Sequence, residues 1–499
     1  MDPYRRHVVV VGGGIAGLTA AWFLRRDGGD GVHVTVLEGS PALGGKLRVS
    51  DVAGVPVDEG ADMMLARRPE GQAITRAAGL GDDLVVPATV SARVWSRGRL
   101  RPFPAGQVMG VPGDLRALAA SGVLSPAGLA RAALDRVLPP TRVGGDTAIG
   151  RYVAARLGRE VVDRLVEPLL GGVYAGRADG LSLDATVPQL SEAARRERCL
   201  LHAVRRLGTP SDSRAGPLFH GVRGGLGRLP QAVAAASGAG IRCGVTVREL
   251  RHVEAGWQLT LGSAQAPETL TADAVVLAVP ARPASRLLRR DVPAAAAELG
   301  GIDYASVAMV TLAYPRAGFP TVAGRSGFLV PPVEGRAGGY AVKAASYLSE
   351  KWVWLAERDP ETVFVRLSLG RYGDEADLQR DDSELIRSAG ADLARVAGPT
   401  AGPVASRVTR WGGALPQYAV GHRERVARIR TAVAAAPGLA VCGAVYDGVG
   451  VPACIASAEA AAAQVLSGLA AASRPAGERQ PGRRPAGGGL PRSMPPEGQ

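Results

Sequence analysis

The N-terminal part of the chain alternates short apolar runs with glycine turns. Residues 8–11 are four consecutive valines, a run too short for a helix and unbroken enough for a buried parallel strand. A glycine turn follows, and apolar residues then recur at helical spacing over residues 15–24 before a break at residues 28–29. A second apolar run, residues 34–37, ends at Glu38. The pattern predicts a strand, a helix and a second parallel strand.

The turn between the first strand and the helix has the spacing G-x-G-x-x-G at Gly12, Gly14 and Gly17. The first glycine permits the tight turn, the second lets a pyrophosphate approach the backbone, and the third lets helix and strand pack closely. Free N–H groups at the helix N-terminus would bind the phosphates. Glu38, 21 residues beyond Gly17, is placed to bind a ribose. We therefore predict dinucleotide binding, with FAD or NAD favoured over NADP because an acid occupies the ribose position.

The rest of the pattern indicates an α/β fold in which the Rossmann-like nucleotide domain is discontinuous. Residues 71–210 look largely helical, residues 241–247 and 272–280 look like strands of the nucleotide domain, and runs between 302 and 404 could form one further sheet. A strand at 439–443 then enters a second glycine turn and a helix. The predicted division is 1–95, 211–300 and 406–473 for the nucleotide domain, 96–210 for a helical domain and substrate cap, 301–405 for an α+β substrate domain, and 474–499 for a disordered basic tail.

The composition limits which ligands and partners the protein is expected to have. The formal charge of +13 comes from 59 basic and 46 acidic residues, which favours anionic ligands. Nucleic acid is disfavoured as a partner because the basic residues are scattered and no basic patch interleaved with aromatics is present. The four cysteines have neither disulfide-like nor metal-like spacing, so we expect no metal site and a cytoplasmic protein with reduced thiols. The sequence contains no uninterrupted apolar stretch of about 18 residues, so we predict no membrane span, although peripheral membrane contact stays possible.

Three further motifs identify a family resemblance. Gly44-Gly45-Lys46 and Asp58-Glu59-Gly60-Ala61-Asp62 follow the dinucleotide turn, and together they resemble the amine-oxidase-like flavoproteins. Residues 167–176, E-P-L-L-G-G-V-Y-A-G, are similar to a signature of protoporphyrinogen and coproporphyrinogen oxidases, although glycine capping of a helix end is the simpler alternative. Val108-Met109-Gly110-Val111-Pro112 is similar to the Gram-positive branch of these oxidases.

The resemblance implies a non-covalent FAD and a porphyrinogen substrate that is oxidised by O₂. No residue is expected to be catalytic, since a hydride would pass from a meso carbon to flavin N5. The positions that match cofactor-binding positions of the family are Gly12, Gly13, Gly14, Ile15, Ala16, Gly17, Glu38, Gly39, Gly45, Lys46, Gly60, Ala61, Asp62, Met63, Val247, Trp411, Gly443, Val449, Gly450 and Val451.

For the substrate, Arg93 lies near the position of a family arginine and is predicted to bind a propionate, with a surface arginine as the alternative. Residues 327–331 resemble the family segment whose leucine packs on the substrate ring, which assigns Gly327 and Leu329 to the substrate site; an ordinary core strand is the alternative. The excess of basic over acidic residues, and the resemblance of Val108–Pro112 to the Gram-positive branch, favour coproporphyrinogen III over protoporphyrinogen IX as the substrate.

Two other classes stay open. An amine oxidase would need an aromatic pair beside the flavin, which Trp411 and Tyr446 could supply, and would typically attach FAD to a cysteine; Cys442 and Cys454 are displaced from that place. A non-catalytic FAD-binding protein is the other alternative. The sequence leaves the oligomeric state open.

Overall fold

The computed structural model describes residues 5–141, 144–208 and 216–472. The predicted disordered tail, residues 474–499, lies outside the described residues. The structure confirms the predicted α/β fold, which is built on two sheets of different kinds.

The first sheet is parallel and holds the glycine turns at its carboxyl edge. Its strands, in spatial order, are Gly240–Arg242, Val32–Leu37, Arg6–Val11, Ala274–Leu277 and Leu439–Val441. The four consecutive valines are buried on both faces: Val8 and Val10 pack on one side, and Val9 and Val11 on the other. An unbroken apolar run is the pattern expected for a parallel strand with both faces covered.

Helices and a small antiparallel sheet cover the two faces. On one side lie the helices Ile15–Gly28, Leu229–Ser237 and Val451–Ala472. On the other side lie the strands Val247–Val253, Gly256–Gly262 and Pro267–Ala272, with the helices Ala281–Leu288, Pro293–Gly300 and His422–Ala434.

The second sheet has seven strands. In spatial order these are Ala405–Pro416, Tyr304–Pro315, Thr362–Leu369, Val342–Tyr347, Gly327–Leu329, Ala92–Ser96 and Arg99–Pro102. Neighbours are antiparallel except for Gly327–Leu329 and Ala92–Ser96, which run parallel. The helix Asp382–Ala397 packs on one face of this sheet. We call the opposite face, which carries Met309, Ser368, Ala344 and Leu329, the floor.

A third region is helical and has its own core. Its helices are Leu115–Ser121, Pro126–Ala133, Ile149–Leu157, Arg159–Val161, Glu167–Tyr174, Leu183–Thr186, Pro188–Arg196 and Leu200–Gly208, with a π-helical turn at Val162–Val166. Asp135 and Arg156 form a fully buried ion pair in this region, with 2.6 Å between Arg156 Nε and Asp135 Oδ1.

Shorter elements connect these regions. The strands are Val49–Val52, Val55–Asp58, Met64–Leu65, Leu84–Val85 and Phe219–Val222; the helices are Pro69–Ala77, Pro332–Gly338, Leu348–Lys351 and Val353–Arg358. Single 3₁₀ turns occupy Gly29–Gly31, Leu134–Arg136, Leu226–Arg228, Arg316–Gly318 and Ala376–Gln379.

Three sequence predictions need correction. The run 241–247 is not one strand, because Gly240–Arg242 ends in the parallel sheet and a new strand begins at Val247. The predicted boundaries at 95 and 406 fall inside strands of the seven-stranded sheet. All three errors have one cause: long-range pairing, which local pattern does not reveal, decides which sheet a strand joins.

Candidate functional site

One cavity of about 920 Å³ lies where the parallel sheet, both glycine turns and the seven-stranded sheet meet. Its volume is at the upper end of the range of about 300–1,000 Å³ usual for ligand pockets. Glu38 is the one acidic residue among the described residues that line it.

The first glycine turn forms one end of the cavity. Gly12 has φ +117°, and a Cβ there would lie 2.6 Å from the Ala278 carbonyl oxygen. A Cβ at Gly17 would lie 1.8 Å from the Gly12 oxygen, so this glycine serves packing and does not line the cavity. Gly14 has extended backbone and open space beside it, and it begins the helix Ile15–Gly28 without any side-chain cap. The first N–H groups of that helix therefore lack a side-chain partner and face the cavity.

Glu38 lies at the end of the neighbouring strand and braces the turn. Its carboxylate accepts hydrogen bonds from the backbone N–H of Gly13 at 2.6 Å and of Ser40 at 2.8 Å, and from the Ser40 hydroxyl. Gly13 itself does not line the cavity, because its N–H is used in this contact and its α-carbon lies against Glu38. Glu38 is thus held in a fixed orientation at the cavity wall.

The loop that follows folds back over the turn. The Gly44 N–H donates to the Gly13 oxygen at 2.9 Å, and a Cβ at Gly45 would lie 3.3 Å from the Gly14 α-carbon. Lys46 then extends across the cavity and donates to the Ala414 oxygen. Burial lowers the pKa of Lys46 to about 8.

The second glycine turn meets the first inside the cavity. Gly443 has φ +120°, its N–H donates to Ser457 Oγ at 2.9 Å, and a Cβ there would lie 3.8 Å from the Ala16 side chain. Val449, Gly450 and Val451 line the wall where the helix Val451–Ala472 begins. Two helix N-termini therefore open onto the same space, which suits a ligand carrying phosphates.

The far wall belongs to the seven-stranded sheet. Trp411 lines it and donates from its indole N–H to the Glu59 oxygen at 3.1 Å, and Gly60 lies beside the indole ring. Tyr304, Val307 and Met309, with Ala61 and Met63, extend this wall.

The register of the strands shows that this wall is continuous with the floor of the seven-stranded sheet. Met309 pairs with Ser368, Ser368 with Ala344, and Ala344 with Leu329, and paired residues share a face of the sheet. Thr311 pairs with both Arg366 and Arg407 on the same face. The floor is therefore mixed, with apolar residues beside hydroxyls and guanidinium groups.

Most of the predicted cofactor residues meet in this cavity. Those that line it are Gly12, Gly14, Ile15, Ala16, Glu38, Gly39, Gly45, Lys46, Gly60, Ala61, Met63, Val247, Trp411, Gly443, Val449, Gly450 and Val451. Their roles toward a bound cofactor stay predictions.

Asp62 is placed differently. Its carboxylate is buried between Lys351 Nζ at 2.6 Å, Arg366 Nη2 at 3.1 Å and Trp352 Nε1 at 3.1 Å, and it does not line the cavity. Although burial opposes ionisation, the Lys351 ammonium and the Arg366 guanidinium hold the pKa of Asp62 well below its usual range. The prediction that this side chain binds the cofactor is corrected accordingly: its carboxylate is committed to residues about 290 positions away.

The neighbouring acids are also structural. Asp58 accepts the N–H groups of Leu226 and Gly227, both at 2.9 Å. Burial and the nearby Asp62 carboxylate raise the pKa of Asp58 to about 7. Glu59 lies within 3.6 Å of the guanidinium groups of Arg48 and Arg407.

The three predicted substrate residues do not line the main cavity. Leu329 lies on the floor, farther along the sheet. Arg93 pairs with Phe328, which packs into the core on the opposite face, so strand alternation places Arg93 and Leu329 on opposite sides of the sheet. Gly327 is a packing glycine, since a Cβ there would lie 2.0 Å from the Ala345 oxygen. The joint assignment of Arg93 and Leu329 to one slot is therefore corrected.

Sequence reasoning missed several lining residues. Thr246, Arg248 and Arg286 lie on the nucleotide side, and Tyr304 and Met309 on the sheet side. They come from unrelated segments without a motif, so only the fold brings them together.

The aromatic pair of an amine oxidase does not form, because Tyr446 is buried in the core and does not line the cavity beside Trp411. In the described residues, no group of three or more His, Cys, Asp and Glu could hold a metal ion. Val451–Ala472 is long and apolar enough to cross a membrane by length and composition alone. Core helices also meet that criterion, and this helix packs on Ile15–Gly28.

Comparisons with known proteins agree with this architecture. The family model for flavin-containing amine oxidoreductases matches residues 15–466. The coproporphyrinogen III oxidase of Mycobacterium tuberculosis is 38% identical over 466 residues, covering 92% of this chain and 97% of the relative. That of Bacillus subtilis is 32% identical over 477 residues, covering 93% and 99%. A crystal structure of a protein from Exiguobacterium sp. 255-15 superposes with a TM-score of 0.81 at 30% identity, covering 93% of this chain and 99% of that one.

Proposed function

The chain belongs to the flavin-containing amine oxidoreductase family, and from this premise we propose that it is an FAD-dependent oxidase that converts coproporphyrinogen III to coproporphyrin III. The reaction removes six hydrogens from the macrocycle in three two-electron steps, and three O₂ become three H₂O₂. When bound, the flavin supplies the hydride acceptor and returns the electrons to O₂.

The observation that carries the proposal is the cavity of about 920 Å³, which joins two helix N-termini to the floor of the seven-stranded sheet. Its phosphate end offers uncapped N–H groups and the braced Glu38. A Cβ at Gly12 or Gly45 would press on the backbone of Ala278 or Gly14, whereas Gly14 has open space beside it. Its other end, at Gly60 and Trp411, is lined mainly by apolar and aromatic side chains, which suits a ring system. These residues fit FAD.

The protein's part in the reaction is positioning. Glu38, the one carboxylate among the described residues that line the cavity, is engaged with Gly13 and Ser40, so it is not available to move protons. The floor extends from Trp411 along the sheet to Leu329, and the signature helix Glu167–Tyr174 packs against its strands. A macrocycle lying between helix and floor would present its edge to the flavin end and exclude water from the reacting atoms.

FAD is expected to be non-covalent. Cys442 is fully buried under the first helix, and burial raises the pKa of the Cys454 thiol, which does line the cavity, to about 12. A neutral thiol is a poor nucleophile, so attachment to flavin is disfavoured. Acid precipitation of the purified protein should release all yellow colour to the supernatant, and Cys454→Ala should bind the same amount of FAD. Colour that stays in the pellet would contradict this expectation.

Coproporphyrinogen III, with four carboxylates, is expected to be a better substrate than protoporphyrinogen IX, with two. The net charge of +13 favours the more anionic substrate. The appearance of porphyrin fluorescence should give the higher kcat/KM for coproporphyrinogen III, with a preference that shrinks as salt is raised. Flavin content, measured at each salt concentration, is the control. Faster oxidation of protoporphyrinogen IX at every salt concentration would reassign the substrate within the same class, and no oxidation of either would refute the proposed function.

A further inference from the structure

The turn at residues 443–446 presents unused backbone donors to the cavity. The Tyr446 N–H donates to the Gly443 oxygen at 3.3 Å, which closes the turn. Ala444 and Val445, the two residues between them, both line the cavity. Within the described ranges, the N–H groups of these two residues donate to no acceptor. Successive free N–H groups in a turn form a concave site for an anion.

The carbonyl groups of the same two residues are held by buried side chains. The Tyr418 hydroxyl donates to the Ala444 oxygen at 2.6 Å, and His422 Nε2 lies 2.9 Å from the Val445 oxygen. The C=O and N–H of a trans peptide point in opposite directions. Because the Ala444 oxygen points at Tyr418, the Val445 N–H points away from it. Tyr418 is 1% and His422 is 2% exposed, and neither lines the cavity.

His422 acts as a neutral donor. A carbonyl oxygen can only accept, so the hydrogen lies on Nε2, and Nδ1 is buried without a hydrogen-bond partner among the described residues. Burial lowers the pKa of His422 to about 4, so the imidazole is uncharged at neutral pH. Its ring stacks on the Tyr418 ring, with the centroids 4.0 Å apart and the planes inclined by 14°. The two donors therefore hold each other in place.

Each donor is also anchored in a different part of the fold. The Tyr418 ring packs in the core of the helical region, 5.5 Å from the Tyr174 ring at the end of the helix Glu167–Tyr174. His422 is the first residue of the helix His422–Ala434, which packs against the parallel sheet. Two separately packed elements thus fix the orientation of one turn in the cavity wall.

This turn faces the N-terminus of the first helix. A Cβ at Gly443 would lie 3.8 Å from the Ala16 side chain, and Ile15 and Ala16 line the same cavity. The helix Ile15–Gly28 begins without a side-chain cap, so its first N–H groups are free as well. The free donors of the turn and of the helix therefore converge on one place, which suits a group with several negative oxygens. In FAD that group is the pyrophosphate.

We propose that Tyr418 and His422 are positioning residues for the cofactor. They hold the carbonyl groups of the 443–446 turn away from the cavity, so that the N–H groups of Ala444 and Val445 bind the pyrophosphate of FAD. This inference rests on the proposed function. Without the two side-chain donors, the buried carbonyl groups lose their partners and the turn rotates to find others. A carbonyl oxygen turned toward the phosphates repels them.

The test compares variants that remove each donor with one that restores it. Tyr418→Phe removes only the hydroxyl and keeps the stacked ring, His422→Leu removes the second donor, and His422→Gln returns an N–H near the place of Nε2. Holoprotein is diluted in steps, and the fluorescence of released FAD gives its affinity. We expect Tyr418→Phe and His422→Leu each to weaken FAD binding by about twofold to tenfold, the range for one hydrogen bond between neutral groups. His422→Gln should restore most of the affinity.

A second readout reports on the pyrophosphate itself. The phosphorus NMR resonances of bound FAD should shift in Tyr418→Phe and His422→Leu and return toward their wild-type positions in His422→Gln. Val433→Ala is the matched control, since it removes buried volume from the same helix about three turns from His422. It should lower the thermal midpoint and leave both the FAD affinity and the phosphorus resonances unchanged. Should His422→Leu fold poorly, the comparison of Tyr418→Phe with Val433→Ala decides.

Several results would overturn the inference. One is wild-type affinity and wild-type phosphorus resonances in Tyr418→Phe and His422→Leu, and another is a His422→Gln protein that binds FAD no better than His422→Leu. A loss of affinity in Val433→Ala as large as that in Tyr418→Phe would reduce the effect to a general loss of stability. In each of these cases the proposed function stands if the wild type oxidises coproporphyrinogen III. A wild type that binds no FAD would overturn both.

Discussion

Replacing Asp62 with alanine is expected to lower the free energy of unfolding by about 3–5 kcal/mol, because it leaves two buried cations without their counter-charge. The carboxylate contacts Lys351 Nζ at 2.6 Å and Arg366 Nη2 at 3.1 Å, and all three side chains are less than a tenth exposed. The cluster joins the segment after the Val49–Asp58 hairpin to the seven-stranded sheet. Its loss should therefore loosen this segment, whose Gly60, Ala61 and Met63 line the cavity.

The effect should depend on pH in a defined direction. The pKa of Asp62 is depressed in the folded protein, so its stabilising contribution is fully present above the unfolded-state value of about 3.9 and is lost as pH falls toward the folded-state value. The difference between wild type and Asp62→Ala should shrink as pH falls below about 4.

Denaturant unfolding at a series of pH values measures this. Glu298→Ala is the matched control, since it removes a carboxylate from an accessible pair with Arg428 and should cost no more than about 1 kcal/mol. Equal stability of Asp62→Ala and Glu298→Ala at pH 7 would show that the buried cluster does not stabilise the fold.

Asp62 also illustrates where sequence reasoning ends. The acidic segment 58–62 was recognisable as a motif, and its glycine and alanine do line the cavity. The partners of the aspartate, Lys351 and Arg366, lie about 290 and 300 positions away and carry no local signal. A buried ion pair between distant segments is set by tertiary packing, which sequence pattern alone does not specify.

The face of the sheet that a residue of a short strand occupies is likewise not predictable from the sequence. The parallel sheet could be predicted because apolar runs and glycine turns are local features with fixed spacing. Arg93 and Leu329 both belong to short strands, and which face each occupies depends on their mutual register. A shift of one residue reverses the face, so their placement needs the structure.

Substitutions at two glycines of the first turn, Gly14 and Gly17, are expected to separate an effect on cofactor binding from an effect on folding. Gly14 has backbone that any residue adopts, and the nearest atom to a Cβ there is the Gly45 α-carbon at 4.0 Å. Gly14→Ala should therefore fold normally. Its new methyl group would occupy the space between the turn and a bound pyrophosphate, and overpacking of this kind costs about 1–3 kcal/mol. FAD affinity should fall by about tenfold to a hundredfold.

Gly17→Ala should behave in the opposite way, because its Cβ would lie 1.8 Å from the Gly12 oxygen, inside the contact between helix and strand. We expect a large loss of stability even without cofactor, since the backbone of the turn must shift to admit the methyl group. Thermal unfolding of the apoproteins and FAD titration of the folded ones separate the two effects. Gly14→Ala should match the wild-type apoprotein in thermal midpoint and differ in affinity. If Gly14→Ala binds FAD as tightly as the wild type, the pyrophosphate does not approach the backbone at Gly14, and the assignment of this turn as the phosphate site fails.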